Sequence, residues 1–139
     1  MALDNVFFDT WHPRVLAALR IVTGYLFLQH GTAKLLGIPA MEMFEAGVPL
    51  MSMNGIAGVI EIVGGALLLI GLFTRPTAFV LSGEMAFAYF IGHASQGNAL
   101  LPMLNGGELA VMWCFVFLYF AVAGAGAWSV DALRRRQIG

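Results

Sequence analysis

Residues 54–73 read NGIAGVIEIVGGALLLIGLF, and Glu61 is the one charged side chain among them. A helix needs about 20 mostly apolar residues to cross a bilayer, at a rise of ~1.5 Å each. This stretch has that length. It lacks the period-two alternation that a closed membrane barrel requires. It therefore predicts a membrane helix with an acid sunk roughly 10 Å below the edge marked by Asn54.

The rest of the chain agrees. Of 139 residues, 60% are hydrophobic and 11% are charged. Soluble domains carry roughly 45–50% apolar and about 25% charged residues. Mean hydropathy is +0.83. Disorder and an ordinary water-soluble domain are excluded. Seven Lys+Arg against eight Asp+Glu leave a net charge of −1, so no basic footprint for nucleic acid exists. The single Cys114 forms no internal disulfide or CxxC pair. The length allows one domain.

Three further apolar stretches flank the first. With it they predict spans at about 14–37, 54–73, 76–93 and 105–124, an all-α, polytopic four-transmembrane-helix bundle. Gly37 and Pro39 stop the first helix, and Pro76 suits the first turn of the third. Residues 1–13 carry Asp4 and Asp9 and no basic n-region, so they do not read as a signal peptide. Val6, Phe7, Phe8 and Trp11 suggest a segment lying in the membrane interface. Residues 38–53 form a long semi-apolar loop with room for a short interfacial helix, and 74–76 read as a tight hairpin. Arg14, Arg75, Arg134, Arg135 and Arg136 fall at the N-terminus, the second connection and the C-terminus. The positive-inside rule then predicts a prokaryotic inner-membrane protein with both termini cytoplasmic.

Charged groups inside a span are expensive and turn toward partners or water. At about 100° per residue, Arg20, Gly24, Phe27, Gly31 and Lys34 share one stripe of the first helix. Asn54, Gly58, Glu61, Gly65 and Leu68 share one on the second. The same count groups Thr77, Val80, Glu84, Ala88 and Ile91, and then Glu108, Met112, Phe115 and Tyr119. His30, Lys34, Glu61, His93 and Glu108 are expected in the outer half of the bundle, with Glu84 beneath them. Arg20 lies some 20 Å from Lys34, toward the cytoplasm.

Several of these residues have plainer readings. Asn105 and Glu108 fit a capping box. Arg20 and Lys34 can snorkel to opposite interfaces. Glu61 and Glu84 are too deep for that. His30 and His93 invite a haem reading. Helical phase disfavours it, because His93 points about 180° from Glu84. No CxxCH is present, and no zinc spacing joins the histidines. Metal ligation is not expected. Met41, Met43, Met51 and Met53 suit an apolar cover better than a soft-metal site.

The chain resembles the DoxX family of small prokaryotic membrane proteins. The resemblance is carried by Arg20-Ile-Val-Thr-Gly24 with Gly31-Thr-Ala-Lys34, and by Glu61-Ile-Val-Gly64-Gly65 with Gly71-Leu-Phe-Thr-Arg75. Glu84 follows, then Asn105-Gly-Gly-Glu108-Leu-Ala110 and Gly124-Ala-Gly-Ala-Trp-Ser-Val-Asp131. It implies a four-helix bundle and a link to quinone-dependent redox or oxidative-stress systems. The family's polar positions fall on Arg20, Lys34, Glu61, Glu84 and Glu108. No flavin, iron–sulfur or nicotinamide motif is present, so no intrinsic cofactor is expected and the electron carrier would be a quinone or a partner subunit.

The leading expectation is a quinone-linked oxidoreductase subunit. Glu61, Glu84 and Glu108 would handle protons, and Arg20, His30, Lys34, Phe115 and Tyr119 would line the ligand. One alternative is a non-catalytic accessory subunit that assembles a larger membrane complex. Another is a transporter for a small solute or protons, although the repeats and broken helices of transporters are not evident. Small-residue faces at Gly58 or Gly64 suit a homodimer.

Overall fold

The computed structural model describes the backbone of residues 2–138 and the side chains of 5–137. Its helices are α1 (Ala2–Leu36), α2 (Met53–Ile70), α3 (Thr74–Phe87), α4 (Pro102–Asn105), α5 (Glu108–Ala123) and α6 (Val130–Ile138). A π-helical turn, Ala88–His93, continues α3. The all-helical class is as expected, with no strand among the described residues. Two compact units form. One holds the residues up to Thr74 and those from Ala125 onward; the other is Arg75–Gly124.

In the first unit, α1 runs unbroken through Pro13. It starts well before Arg14, and residues 5–13 continue it without a break. Residues 1–4, part of the expected interfacial segment, lie outside the described side chains. No glycine interrupts this stretch, and the Thr10 hydroxyl donates back to the Val6 carbonyl at 2.7 Å. The Pro13 carbonyl accepts the Ala127 N–H at 2.8 Å, which ties α1 to the chain end.

Helix α2 starts at Ser52, whose hydroxyl accepts the Gly55 N–H at 3.1 Å. It stops at Gly71, in the left-handed conformation at φ +69°. A side chain at Gly71 would also collide with the Arg20 guanidinium. The segment 71–73 is therefore the link to α3. Thr74-Arg75-Pro76 belongs to the first turn of α3 rather than to a hairpin.

Glycines set the separation of α1 and α2. A Cβ on Gly24 would stand 2.7 Å from the Leu69 nitrogen, and one on Gly65 2.7 Å from the Leu28 nitrogen. Gly31 faces the Gly58 carbonyl just as closely. The two backbones touch, the small-residue packing that membrane helices favour. The expected stripes hold in this pair: Arg20, Gly24, Phe27, Gly31, Gly58, Glu61, Gly65 and Leu68 are buried, and Asn54 alone of the α2 stripe is exposed.

The second unit departs from its stripes. On α5 the buried residues are Ala110, Phe117 and Phe120. Glu108, Met112, Phe115 and Tyr119 form an exposed face. The phase was right and the side was wrong, because α5 is apolar all round and its pattern names no inner face. On α3 the residues Thr74, Ala78, Leu81, Ser82 and Met85 are buried, while Val80 and, in the π-helical turn, Ile91 are exposed.

Across α1, α2, α3 and α5, large apolar side chains such as Leu19, Val59, Phe79 and Phe115 are exposed while Arg20 and Glu61 are buried. By length and composition α2 is apolar and long enough to cross a bilayer, and α5 is apolar but shorter. The predicted stretch 76–93 is α-helical to Phe87 and π-helical from Ala88 to His93. The stretch 105–124 is shortened by a break at Gly106-Gly107. Residues 38–53 hold only a 3₁₀ turn, Glu42–Phe44.

Candidate functional site

Helical phase brings Lys34, in the last turn of α1, against Glu61 in the middle of α2. Lys34 Nζ donates to Glu61 Oε1 at 2.5 Å. Glu61 is only 3% exposed. Its second oxygen, Oε2, is buried and accepts no hydrogen bond among the described residues. The ion pair occupies one of the three N–H donors of an ammonium group. Half-buried His30, one turn before Lys34, lies within its electrostatic reach. A buried anion with an open acceptor beside a cation is chemically unusual. It can hold or pass a proton, or bind a group that both donates and accepts.

Arg20 sits elsewhere in the same unit and is 0% exposed. Among the described residues it meets no carboxylate directly. Its Nη1 donates to the Leu68 and Leu69 carbonyls at the end of α2. Nε donates to Ala125 O at 2.9 Å, and Nη2 to Trp128 O at 2.8 Å and Ala127 O at 3.5 Å. A guanidinium has five N–H donors, and five carbonyls receive them. No donor is left for a ligand, so Arg20 clamps backbone here.

The residue missed in the sequence is Asp131. Both its oxygens accept N–H groups at the start of α3, from Phe73 and Thr74, at 2.9 Å each. Its own N–H donates to Gly71 O at 2.9 Å, and its charge reaches Arg20. Sequence reasoning looks for a cap just before a helix, and this one comes from 58 residues away. The available signal was the lack of any acid at residues 70–77.

Partial burial pushes the Asp131 carboxyl up. The hydrogen bonds from Thr74 and Phe73 and the charge of Arg135 outweigh it and hold the group below the ordinary 3.8. A lowered folded-state value gives stability that is fully present above the ordinary value and lost as pH falls through the lowered one. Asp131→Ala should therefore cost about 1 kcal/mol at neutral pH, the usual worth of an N-cap. In acid titrations of unfolding, its difference from wild type should shrink below pH 3.8 and be unchanged above it.

In the second unit, both carboxylate oxygens of Glu84 are buried. Glu108 is exposed and is the first residue of α5. The expected capping box is absent: Gly107 precedes the helix, and Asn105 Oδ1 accepts the Gly107 N–H at 2.9 Å. Asn105 is drawn away because it ends α4. Phe115 is 64% and Tyr119 47% exposed, so neither encloses a ligand within this unit. His93 Nδ1 lies 3.1 Å from the Asn105 carbonyl, and its ring stacks with Tyr89. The buried Tyr89 hydroxyl donates to Ala99 O at 2.7 Å. Ser82 donates to the Cys114 carbonyl at 2.9 Å, and its hydroxyl lies 3.5 Å from the Cys114 thiol. Among the described residues no three His, Cys, Asp or Glu side chains group as a metal site.

Buried charges inside helices with apolar outer faces define a small all-helical membrane protein. The profile of the DoxX family matches residues 15–94. The chain belongs to the DoxX family. It is 51% identical over 124 residues to a Haemophilus influenzae protein named only as uncharacterized, covering 88% of this chain and 92% of the relative. It is 29% identical to the Escherichia coli K12 "Inner membrane protein YqjF", covering 85% and 90%. It is 26% identical to the Bacillus subtilis "Putative oxidoreductase CatD", covering 81% of each. No solved structure matches the chain.

Proposed function

We propose that this protein is a four-span subunit of a quinone-linked redox system in the bacterial cytoplasmic membrane, with both termini cytoplasmic. The observation that carries the proposal is the buried Lys34–Glu61 pair with its open Oε2. A quinone head group needs a hydrogen-bond donor at its carbonyl when oxidised and an acceptor at its hydroxyl when reduced. Lys34 and Glu61 offer the two side by side. A quinone bound there would supply the electron chemistry. Lys34 would orient and Glu61 would hold or release the proton. Glu84, with its buried oxygens, would be a second proton carrier, and Glu108 an entry point at the surface. The name of the Bacillus relative supports a redox role.

Glu61→Gln keeps the shape and removes the anion. It should lower quinone-dependent turnover of the purified protein or its complex by about 100-fold, with the circular dichroism unchanged. Wild-type turnover would overturn the proton role.

The Arg20 clamp favours a second reading, an accessory subunit that helps a larger membrane complex assemble, since that arginine shapes the fold and touches no open site. Deleting the gene would then lower partner abundance, while Glu61→Gln would leave activity intact.

A further inference from the structure

We propose that the outward side of α6, together with Arg14, is a docking surface for the headgroups of anionic phospholipids. The surface lies wholly in the first unit. Helix α6 carries Asp131, Arg134, Arg135 and Arg136. Asp131 is turned inward onto the Phe73 and Thr74 N–H groups; its charge reaches Arg135, so one acid stands against three arginines on this helix. Arg134, Arg135 and Arg136 are all exposed.

The helix is held in place as well as charged. Ser129, just before it, is buried, and its hydroxyl accepts the Ala132 N–H at 3.1 Å. The Asp131 N–H is fixed to Gly71. Arg134 lies over the exposed Phe73 ring at 5.2 Å. The bond from Ala127 to the Pro13 carbonyl brings the start of this segment to Arg14. Arg14 in turn lies over the exposed Trp11 ring at 5.4 Å. Trp128 and Leu133 are exposed alongside.

Aromatic rings beside arginines are the chemistry of a headgroup layer: the rings sit at the interface and the guanidiniums reach phosphate. Three exposed arginines against one acid on α6, with Arg14 on the neighbouring helix, leave a positive surface that suits an anionic partner, and the leaflet that receives positive ends is the anionic one. The surface commits to a lipid phosphate rather than a free one, because apolar rings flank the charges. The inference stands apart from the quinone reading.

The test uses the full-length protein in nanodiscs of equimolar phosphatidylglycerol and phosphatidylcholine. After delipidation in detergent, the ratio of the two lipids retained is read by mass spectrometry. Wild type should retain phosphatidylglycerol in clear excess at low salt and lose that preference at high salt. The triple variant R134A/R135A/R136A should lower the ratio by about tenfold or more. R134K/R135K/R136K should keep it within about twofold, which separates charge from a folding role of the guanidiniums. Inorganic phosphate should displace no more lipid than chloride does at the same ionic strength. Wild type retaining both lipids as offered, an alanine variant as selective as wild type, or greater displacement by phosphate than by chloride would each overturn the proposal. Should the alanine variant fail to fold, the salt dependence of wild type and the lysine variant decide it.

Discussion

Arg20→Met should reduce the unfolding free energy of the purified protein by about 3–5 kcal/mol, among the largest effects of a single substitution. The guanidinium is fully buried and its donors go to Leu68, Leu69, Ala125, Ala127 and Trp128. Two of those carbonyls end α2; Leu68 O also accepts the Gly71 N–H at 3.1 Å, and Leu69 O accepts from the guanidinium. Each buried carbonyl stripped of its donor costs about 1–3 kcal/mol. Asp131 also loses the cation its charge reaches. Arg20→Lys should recover little, because an ammonium has three donors and no planar fork. Equilibrium denaturation in detergent, followed by helical circular dichroism, measures both. A loss under about 1 kcal/mol in Arg20→Met would mean that water replaces the clamp.

The second large effect is asymmetric. Lys34→Met leaves the Glu61 carboxylate buried without its cation and should cost about 3–5 kcal/mol. Glu61→Leu should cost less, since the side chain of Lys34 is 14% exposed against 4% for Glu61 and its long stem can carry the charge outward. The double variant Lys34→Met/Glu61→Leu should be more stable than Lys34→Met alone, because it removes the orphaned anion. The same denaturation measurement on all four proteins gives a coupling energy of about 2 kcal/mol or more. Additive costs would show that the two groups do not depend on each other.

These two sites differ in how much the sequence revealed. Lys34 and Glu61 were legible because each stands among glycines on its stripe, and a charge among close-packed backbones has few places to turn. Arg20 lay on the same stripe, but its partners are main-chain carbonyls, which every residue has and no composition marks. The second unit was less legible. Helix α5 is apolar on every side, so its period fixed which residues share a face but not which face is inward. Phe115 and Tyr119 were placed inside for that reason. Glu108 looked like a cap because Asn105 stands before it, but Gly106 at φ +73° lets the chain end one short helix and begin another. Asp131 was invisible as a cap because it arrives from the far end of the chain.

The clamp around Arg20 also has a consequence for biosynthesis. Two of the five acceptors, Leu68 and Leu69, follow Arg20 closely as the polypeptide emerges; the other three lie beyond residue 124. During translation the arginine must wait while all of Arg75–Gly124 is made. A chain stopped before Ala125 carries a cation whose cradle never closes. The first unit is therefore complete only once Ala125, Ala127 and Trp128 have followed the second.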